Sequence, residues 1–204
     1  MNNDFLKEQL RKPPHSQTKI NEDFNFKKHL DCDVSKIYKI IENFTDEWNL
    51  QTIRQEMFDV HKNTQSYFIY DHTSNWVVGD SYQTVCVSDN REILDAISTT
   101  ILDLEKIHKG RVAKVLLIKL SKGEDVLPHS DSFDYANSVR RHHIPIITNE
   151  HVYFRVGEES KVMLTGECWE INNSKIHEAV NESDIERVHL LIDIFPNKYF
   201  EEIN

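Results

Sequence analysis

A mainly β domain with flanking helices, arranged as an antiparallel sandwich or barrel, is the fold class this 204-residue sequence predicts. Three observations predict it. The hydrophobic period changes at Gly110, from apolar residues recurring at threes and fours to alternation at twos. The stretch beyond Gly110 is cut into short runs rich in Val, Ile, Leu and aromatic residues by polar turns at "SKGED", "TNE", "GEES", "TG" and "NNS", a spacing that suits successive antiparallel strands rather than βαβ units. A hydrophobic content of 39% over this length is enough for one compact core carrying an appended helical segment.

Residues 1–26 are polar, contain Pro13 and Pro14 and show little periodicity, which predicts an arm laid over the surface. Residues 27–204 then form a single domain. "DVSKIYKIIENFTDEW" (33–48) places Val34, Ile37, Ile40, Ile41 and Phe44 near one face of a helix that Asp33 or Ser35 can cap. "SDNREILDAISTTILDLEKIHKG" (88–110) is a clearer helix, with Ile93, Leu94, Ile97, Ile101, Leu104 and Ile107 at threes and fours, Ser88 or Asn90 as cap and Gly110 after its end. "SYFIYD" and "YQTVCV" add strands before Gly110; "RVAKVLLIKL", "RRHHIPII", "HVYFRV", "KVML", "ECWEI" and "RVHLLIDIF" follow it. The expected result is helices on the outside of a β-sandwich whose interior can hold a small site.

The formal charge of -10, from 34 acids against 24 bases, and the lack of any long Lys/Arg block argue against nucleic acid as a partner while leaving room for a local anion site. Three cysteines at wide spacings, Cys32, Cys86 and Cys168, form no C-x-x-C pair and fit a reducing cytoplasm. No apolar run has signal-peptide or membrane-spanning length, so a soluble cytoplasmic protein without a membrane partner is expected.

"HSD", residues 129–131, is the first candidate for chemistry. In extended backbone His129 and Asp131 point to one face while Ser130 points away. With eleven histidines in the chain such a pair also arises by chance, so it needs a third ligand. His177 in "KIHEAVN" offers one, although by itself it reads equally well as a loop histidine facing water. Two histidines and a carboxylate with open remaining positions suit non-haem Fe(II); zinc prefers a closed tetrahedral set. Strand alternation in "RRHHIPI" separates Arg141, His143 and Pro145 from Arg140, His142 and Ile144, so one basic pair faces inward if the strand is half buried. Arg187 opens an apolar strand and shares a face with His189, Leu191 and Asp193. A buried arginine needs an anion: a ligand carboxylate, which its planar fork matches bidentately, or an internal partner such as Asp193 or Glu186.

"KGEDVLPHSD", then "RHHIPI" twelve residues after His129, then His177, then "RVHLLID" with Arg187 ten residues after His177, resembles the aspartyl/asparaginyl β-hydroxylase family of Fe(II)- and 2-oxoglutarate-dependent oxygenases. The resemblance covers about residues 111–197. It implies a double-stranded β-helix (jelly roll, cupin-like) core with iron at its open end. His129 and His177 match the iron-binding histidines, Asp131 completes the facial triad that some members lack, and Arg187 matches the arginine that pairs with the distal carboxylate of 2-oxoglutarate. Arg141 and His143 match the family's R-x-H pair near the cosubstrate. The serine that some members place eleven residues before the first histidine is Ile118 here, leaving Tyr153, Ser66 or Thr64 to supply a hydroxyl. "RQEMFDVHKNTQSYFIYD" (54–71) is similar to a segment of small stand-alone members. The implied reaction is hydroxylation of an amino-acid side chain, Asp-, Asn- or Pro-like, in a peptide, a protein or a free amino acid, with release of succinate and CO2. Asn181 is a candidate substrate contact or turn stabiliser. The competing reading is a non-catalytic jelly-roll module that binds a metal or small acid as sensor or scaffold, which does not require Asp131, both histidines and Arg187 together. A cupin-like zinc or manganese enzyme leaves Arg187 unexplained.

Overall fold

The computed structural model describes residues 22–50, 52–72, 84–131 and 134–196, so most of the polar arm lies outside the described residues. The chain runs through β1 (Phe26–Asp31), α1 (Ser35–Ile41), a 3-10 turn at Asp46–Asn49, α2 (Ile53–Met57) and a second 3-10 turn at Asp59–His61. Then come β2 (Thr64–His72), β3 (Thr84–Cys86), α3 (Arg91–His108), β4 (Gly110–Leu120), β5 (Asp125–His129) and α4 (Asp134–Ser138). The remainder is β6 (Arg140–Ile147), β7 (Val152–Val156), β8 (Glu159–Lys161), β9 (Glu167–Ile171), β10 (His177–Asn181) and β11 (Arg187–Pro196).

These strands pair antiparallel in two sheets, ordered β1-β9-β6-β11-β4-β2-β3 and β5-β10-β7-β8. From β4 onward the chain alternates between them: β4, β6, β9 and β11 belong to the large sheet, and β5, the β7–β8 hairpin and β10 to the small one. That alternation is the jelly roll the sequence led us to expect. No helix among the described residues is long and apolar enough to cross a membrane.

Period-2 alternation gives β11 two different faces. All ten of its residues are buried. Val188, Leu190, Ile192 and Ile194 join Val115 and Leu117 of β4 against Ile93, Ile97, Ile101 and Leu104 of α3 and Ile37 and Ile41 of α1. The opposite face, with Arg187, His189, Leu191 and Asp193, looks between the sheets. There Leu120, Val126, Phe154, Val156, Met163, Ile171 and Ala179 form a second apolar cluster.

The long helix starts where expected, with the Ile93 N–H donating to the Asn90 side-chain oxygen at 3.2 Å. Its left-handed terminal residue is Lys109, at φ 46°. Gly110 serves another purpose: a Cβ there would lie 2.2 Å from the Phe195 carbonyl oxygen, so only glycine lets β11 approach. The helix expected over 33–48 is split, because the Asn43 amide donates back to the Lys39 carbonyl and the chain resumes as the 3-10 turn around Trp48. Asp33 accepts from the Ser35 N–H at 2.9 Å, and no side chain caps α1 from the N-cap position itself. "KVML" is not a strand. Pairing with β7 sets β8 earlier, at Glu159–Lys161, and Met163 drops into the inter-sheet core instead.

Candidate functional site

His129 ends β5 and His177 begins β10, and the antiparallel register sets them directly opposite each other. Their ring centroids are 4.3 Å apart. Asp131 lies just beyond β5, where its N–H donates to the Asn173 carbonyl at 2.9 Å and the Asn173 amide returns a bond to Oδ2 at 3.2 Å. Each histidine Nε2 stands 3.9 Å from an Asp131 oxygen, and one ligand atom from each of the three groups falls within 4.8 Å of the others. Both Nδ1 atoms face carbonyls, Leu127 at 2.7 Å and Lys175 at 3.0 Å. A carbonyl only accepts, so Nδ1 carries the proton and Nε2 presents its lone pair. Burial pushes His177 down to about 4. Against the opposing effect of burial, the Arg141 guanidinium and the two imidazoles hold Asp131 at about 2. His177 is thus neutral and Asp131 ionised at neutral pH, and with His129 they could hold one divalent metal ion with coordination positions left open.

Arg141, from β6, fixes the carboxylate. Its Nε and Nη2 donate to the two oxygens of Asp193 at 2.9 and 2.8 Å, and its Nη1 donates to Asp131 Oδ2. Tyr135 adds an O–H bond to Asp193 at 2.9 Å. Arg141 therefore borders the chamber with its fork engaged by two acids, which suits it to position Asp131 rather than to receive an anionic ligand. Asp193→Ala, which takes a bidentate counter-ion from a buried guanidinium, is expected to cost about 3–5 kcal/mol of stability in denaturant unfolding. A loss under 1 kcal/mol, on the order of a surface pair, would mean that Asp131 alone compensates Arg141.

Beside the triad, between the sheets, opens a cavity of about 460 Å³ including its mouth, walled by Thr64, Ile118, Val126, Phe154 and Leu191 and carrying Arg54, His143 and Arg187. Arg187 is 2% exposed. Its Nη2 donates to His189 Nδ1 at 2.7 Å, its guanidinium lies 5.7 Å from the Phe154 ring centroid, and its Nε has no partner. Neither expected internal acid reaches it, since Asp193 is held by Arg141 and Glu186 lies 3.5 Å from Lys119. Burial, with no acid among the described residues to relieve it, pushes Arg187 down to about 9. His143 Nδ1 and His189 Nε2 are likewise buried without partners among the described residues. A cation and two polar nitrogens left unsatisfied in this way fit a small dicarboxylate such as 2-oxoglutarate.

Of the hydroxyls considered as stand-ins at Ile118, Thr64 lines the cavity, Ser66 accepts from Arg54 at 3.2 Å, and the Tyr153 phenol turns toward Glu182. Asn181 does not reach the site. Its amide donates to the Ser121 and Ile185 carbonyls at 3.0 and 2.9 Å and its oxygen accepts from Ser183, so of the two roles considered it takes the turn, not the substrate contact.

No pattern in the sequence marks Arg54 and His61 as site residues. Arg54 Nη2 lies 3.0 Å from His61 Nε2, and both line the cavity and a second opening that shares His129, Asp131 and Arg141. The segment 54–71, noted for its similarity to small stand-alone proteins, was the available signal. Burial and then Arg54 push His61 down to about 3, while an unfolded histidine titrates near 6.5. The unfolded chain therefore binds more protons below pH 6.5, and stability is lost as pH falls toward the native values of His61 and His177. The melting midpoint should drop between pH 6.5 and 4. A flat profile there would mean that these imidazoles accept protons in the folded state.

Over residues 47–196 the chain matches a family model described as aspartyl/asparaginyl beta-hydroxylase. A search of curated proteins finds no match. Among solved structures, the viral collagen prolyl hydroxylase vCPH from Paramecium Bursaria Chlorella virus-1, in its 2OG complex, aligns over 85% of this chain and 97% of its own, with a TM-score of 0.53 and 12% identity. An oxidoreductase of the 2OG-Fe(II) oxygenase family from Burkholderia pseudomallei aligns over 65% and 68%, with a TM-score of 0.50 and 13% identity. At these identities the likeness to solved structures is one of fold.

Proposed function

The chain belongs to the aspartyl/asparaginyl β-hydroxylase family of Fe(II)- and 2-oxoglutarate-dependent dioxygenases, and on that premise we propose that it hydroxylates an Asp-, Asn- or Pro-like side chain in a peptide, protein or free amino acid. His129, Asp131 and His177 hold the iron in this reading, and Arg187 binds the far carboxylate of the cosubstrate. Iron and 2-oxoglutarate, when bound, supply the oxidising chemistry, in which decarboxylation to succinate and CO2 accompanies insertion of one oxygen atom into a C–H bond. The observation that carries this reading is Arg187: a guanidinium 2% exposed, with an unpartnered Nε and no acid in reach among the described residues.

The protein's part is placement. The Leu127 and Lys175 carbonyls hold the two imidazoles in the tautomer that points Nε2 inward. Phe154 lies parallel to the His177 ring, with centroids 6.3 Å apart at an interplanar angle of 11°. Arg141 and Asn173 hold Asp131. Ile118, Val126 and Leu191 keep the cavity apolar between its ends, which strengthens the interaction of Arg187 with a carboxylate.

Anaerobic titration with Fe(II) and then 2-oxoglutarate tests the proposal. A weak visible metal-to-ligand charge-transfer band is expected in the wild type and should vanish in His129→Ala. Metal binding without the band would instead favour the metal- or acid-binding module.

A further inference from the structure

Strand β6 carries imidazole chemistry on both faces. Arg141 and His143 look into the cavity, whereas His142 points the other way and meets His29 of β1, His108 of the last turn of α3 and Glu170 of β9. None of these four has a part in the proposed reaction. Their ligand atoms lie within 4.8 Å of one another. His29 Nε2 is 2.7 Å from Glu170 Oε2, His108 Nε2 is 2.8 Å from His142 Nε2, and the three ring centroids are 4.8, 4.9 and 5.3 Å apart.

Surrounding contacts aim these donors. His142 Nδ1 lies 3.1 Å from the Ile192 carbonyl, which can only accept, so the proton sits on Nδ1 and the Nε2 lone pair faces the cluster. Coordinating histidines are typically anchored in this way. Arg140 Nη1 donates to Glu170 Oε1 at 3.0 Å, which leaves Oε2 for the cluster. His108 closes an 18-residue helix, and the negative end of its dipole favours a cation there. His142 is fully buried and Glu170 2% exposed. Separate hydrogen bonds could satisfy these groups in pairs. They do not explain why three imidazoles from three elements turn the same nitrogen toward one point together with a carboxylate.

We propose that His29, His108, His142 and Glu170 form a second, closed metal site for a divalent cation of the zinc type. Three imidazole nitrogens and one carboxylate oxygen make a tetrahedral set with no position left for substrate, unlike the open triad. Bonds of about 2.0 Å imply roughly 3.3 Å between ligand atoms, so the ion widens the 2.8 Å gap slightly, and His108, half-buried at the helix end, is best placed to shift. The site ties β1, an edge strand of the large sheet, to β6, β9 and α3. It is independent of the oxygenase reading, since none of its residues lines the cavity.

Co2+ is the probe, because it absorbs strongly in tetrahedral and weakly in octahedral fields. The chelator-treated full chain is titrated as wild type, as His129→Ala/His177→Ala, and as His29→Ala and His108→Ala. Wild type and the double variant should both develop the strong band, which in the double variant saturates at one equivalent, and each single variant should lose it. The proposal is overturned if the wild type shows no strong band, if the band survives His29→Ala or His108→Ala, or if only the double variant loses it. Should the double variant fail to fold, wild type against the two single variants, with Glu170→Gln as a third, still decides.

Discussion

Arg187→Met is expected to abolish high-affinity binding of 2-oxoglutarate while leaving the ligand-free protein at least as stable as the wild type. The two effects have opposite signs for one reason. Arg187 is an almost fully buried cation whose charge no acid among the described residues offsets, so the folded state carries a desolvation cost that an anionic ligand relieves. An unbranched apolar side chain in that position removes the cost, and comparable replacements of buried ionic groups are neutral or stabilising by about 1–4 kcal/mol. The ligand loses a bidentate, charge-assisted partner, about 2–5 kcal/mol, or roughly 30- to several-thousand-fold in affinity. Arg187→Lys keeps the charge without the fork and should recover only part of it. Calorimetric titration of anaerobic, metal-loaded protein and thermal unfolding of metal-free protein read the two effects separately. Unchanged affinity would move the role to Arg54, the other arginine in the cavity whose fork is not committed to a carboxylate.

His177→Ala is expected to bring turnover below detection and to weaken Fe(II) binding by more than the roughly 10–100-fold that loss of an outer-shell partner costs. It removes one of three donors and leaves His129 without its cross-strand neighbour. The fold should survive, because His177 sits at the first residue of β10 and the rest of that strand stays paired on both sides. Turnover and metal affinity, with circular dichroism as a check on folding, test this. An active variant would exclude His177 from the metal set.

The candidate site was more legible in the sequence than some of the strands that build it. The pair at 129 and 131 and the arginine at 187 could be read because strand alternation sends residues two apart to one face, and that holds whether or not a strand's ends are known. Strands β1, β5 and β10 were missed. They are short, no residue of β1 is fully buried and only Val126 of β5 is, so their existence depends on partners far along the chain. By itself His177 reads equally well as a loop histidine for the same reason. Arg54 and His61 sit on a short helix and a 3-10 turn, where period-based reasoning has no purchase. The partner of Arg141 was equally out of reach, because nothing local ties residue 141 to residue 193.

The two sheets carry different parts of the site. His129 and His177 belong to the small sheet, Arg141 and Arg187 to the large one, and Leu120, Val126, Phe154 and Ile171 fill the space between. The thickness of that filling sets the span between metal donors and guanidinium, as a spacer sets the opening of a caliper. A core substitution that lines no part of the cavity, such as Leu120→Ala, is thus expected to act on the span available to the cosubstrate, so that the fit to dicarboxylates of different chain length can be tuned through hydrophobic residues alone.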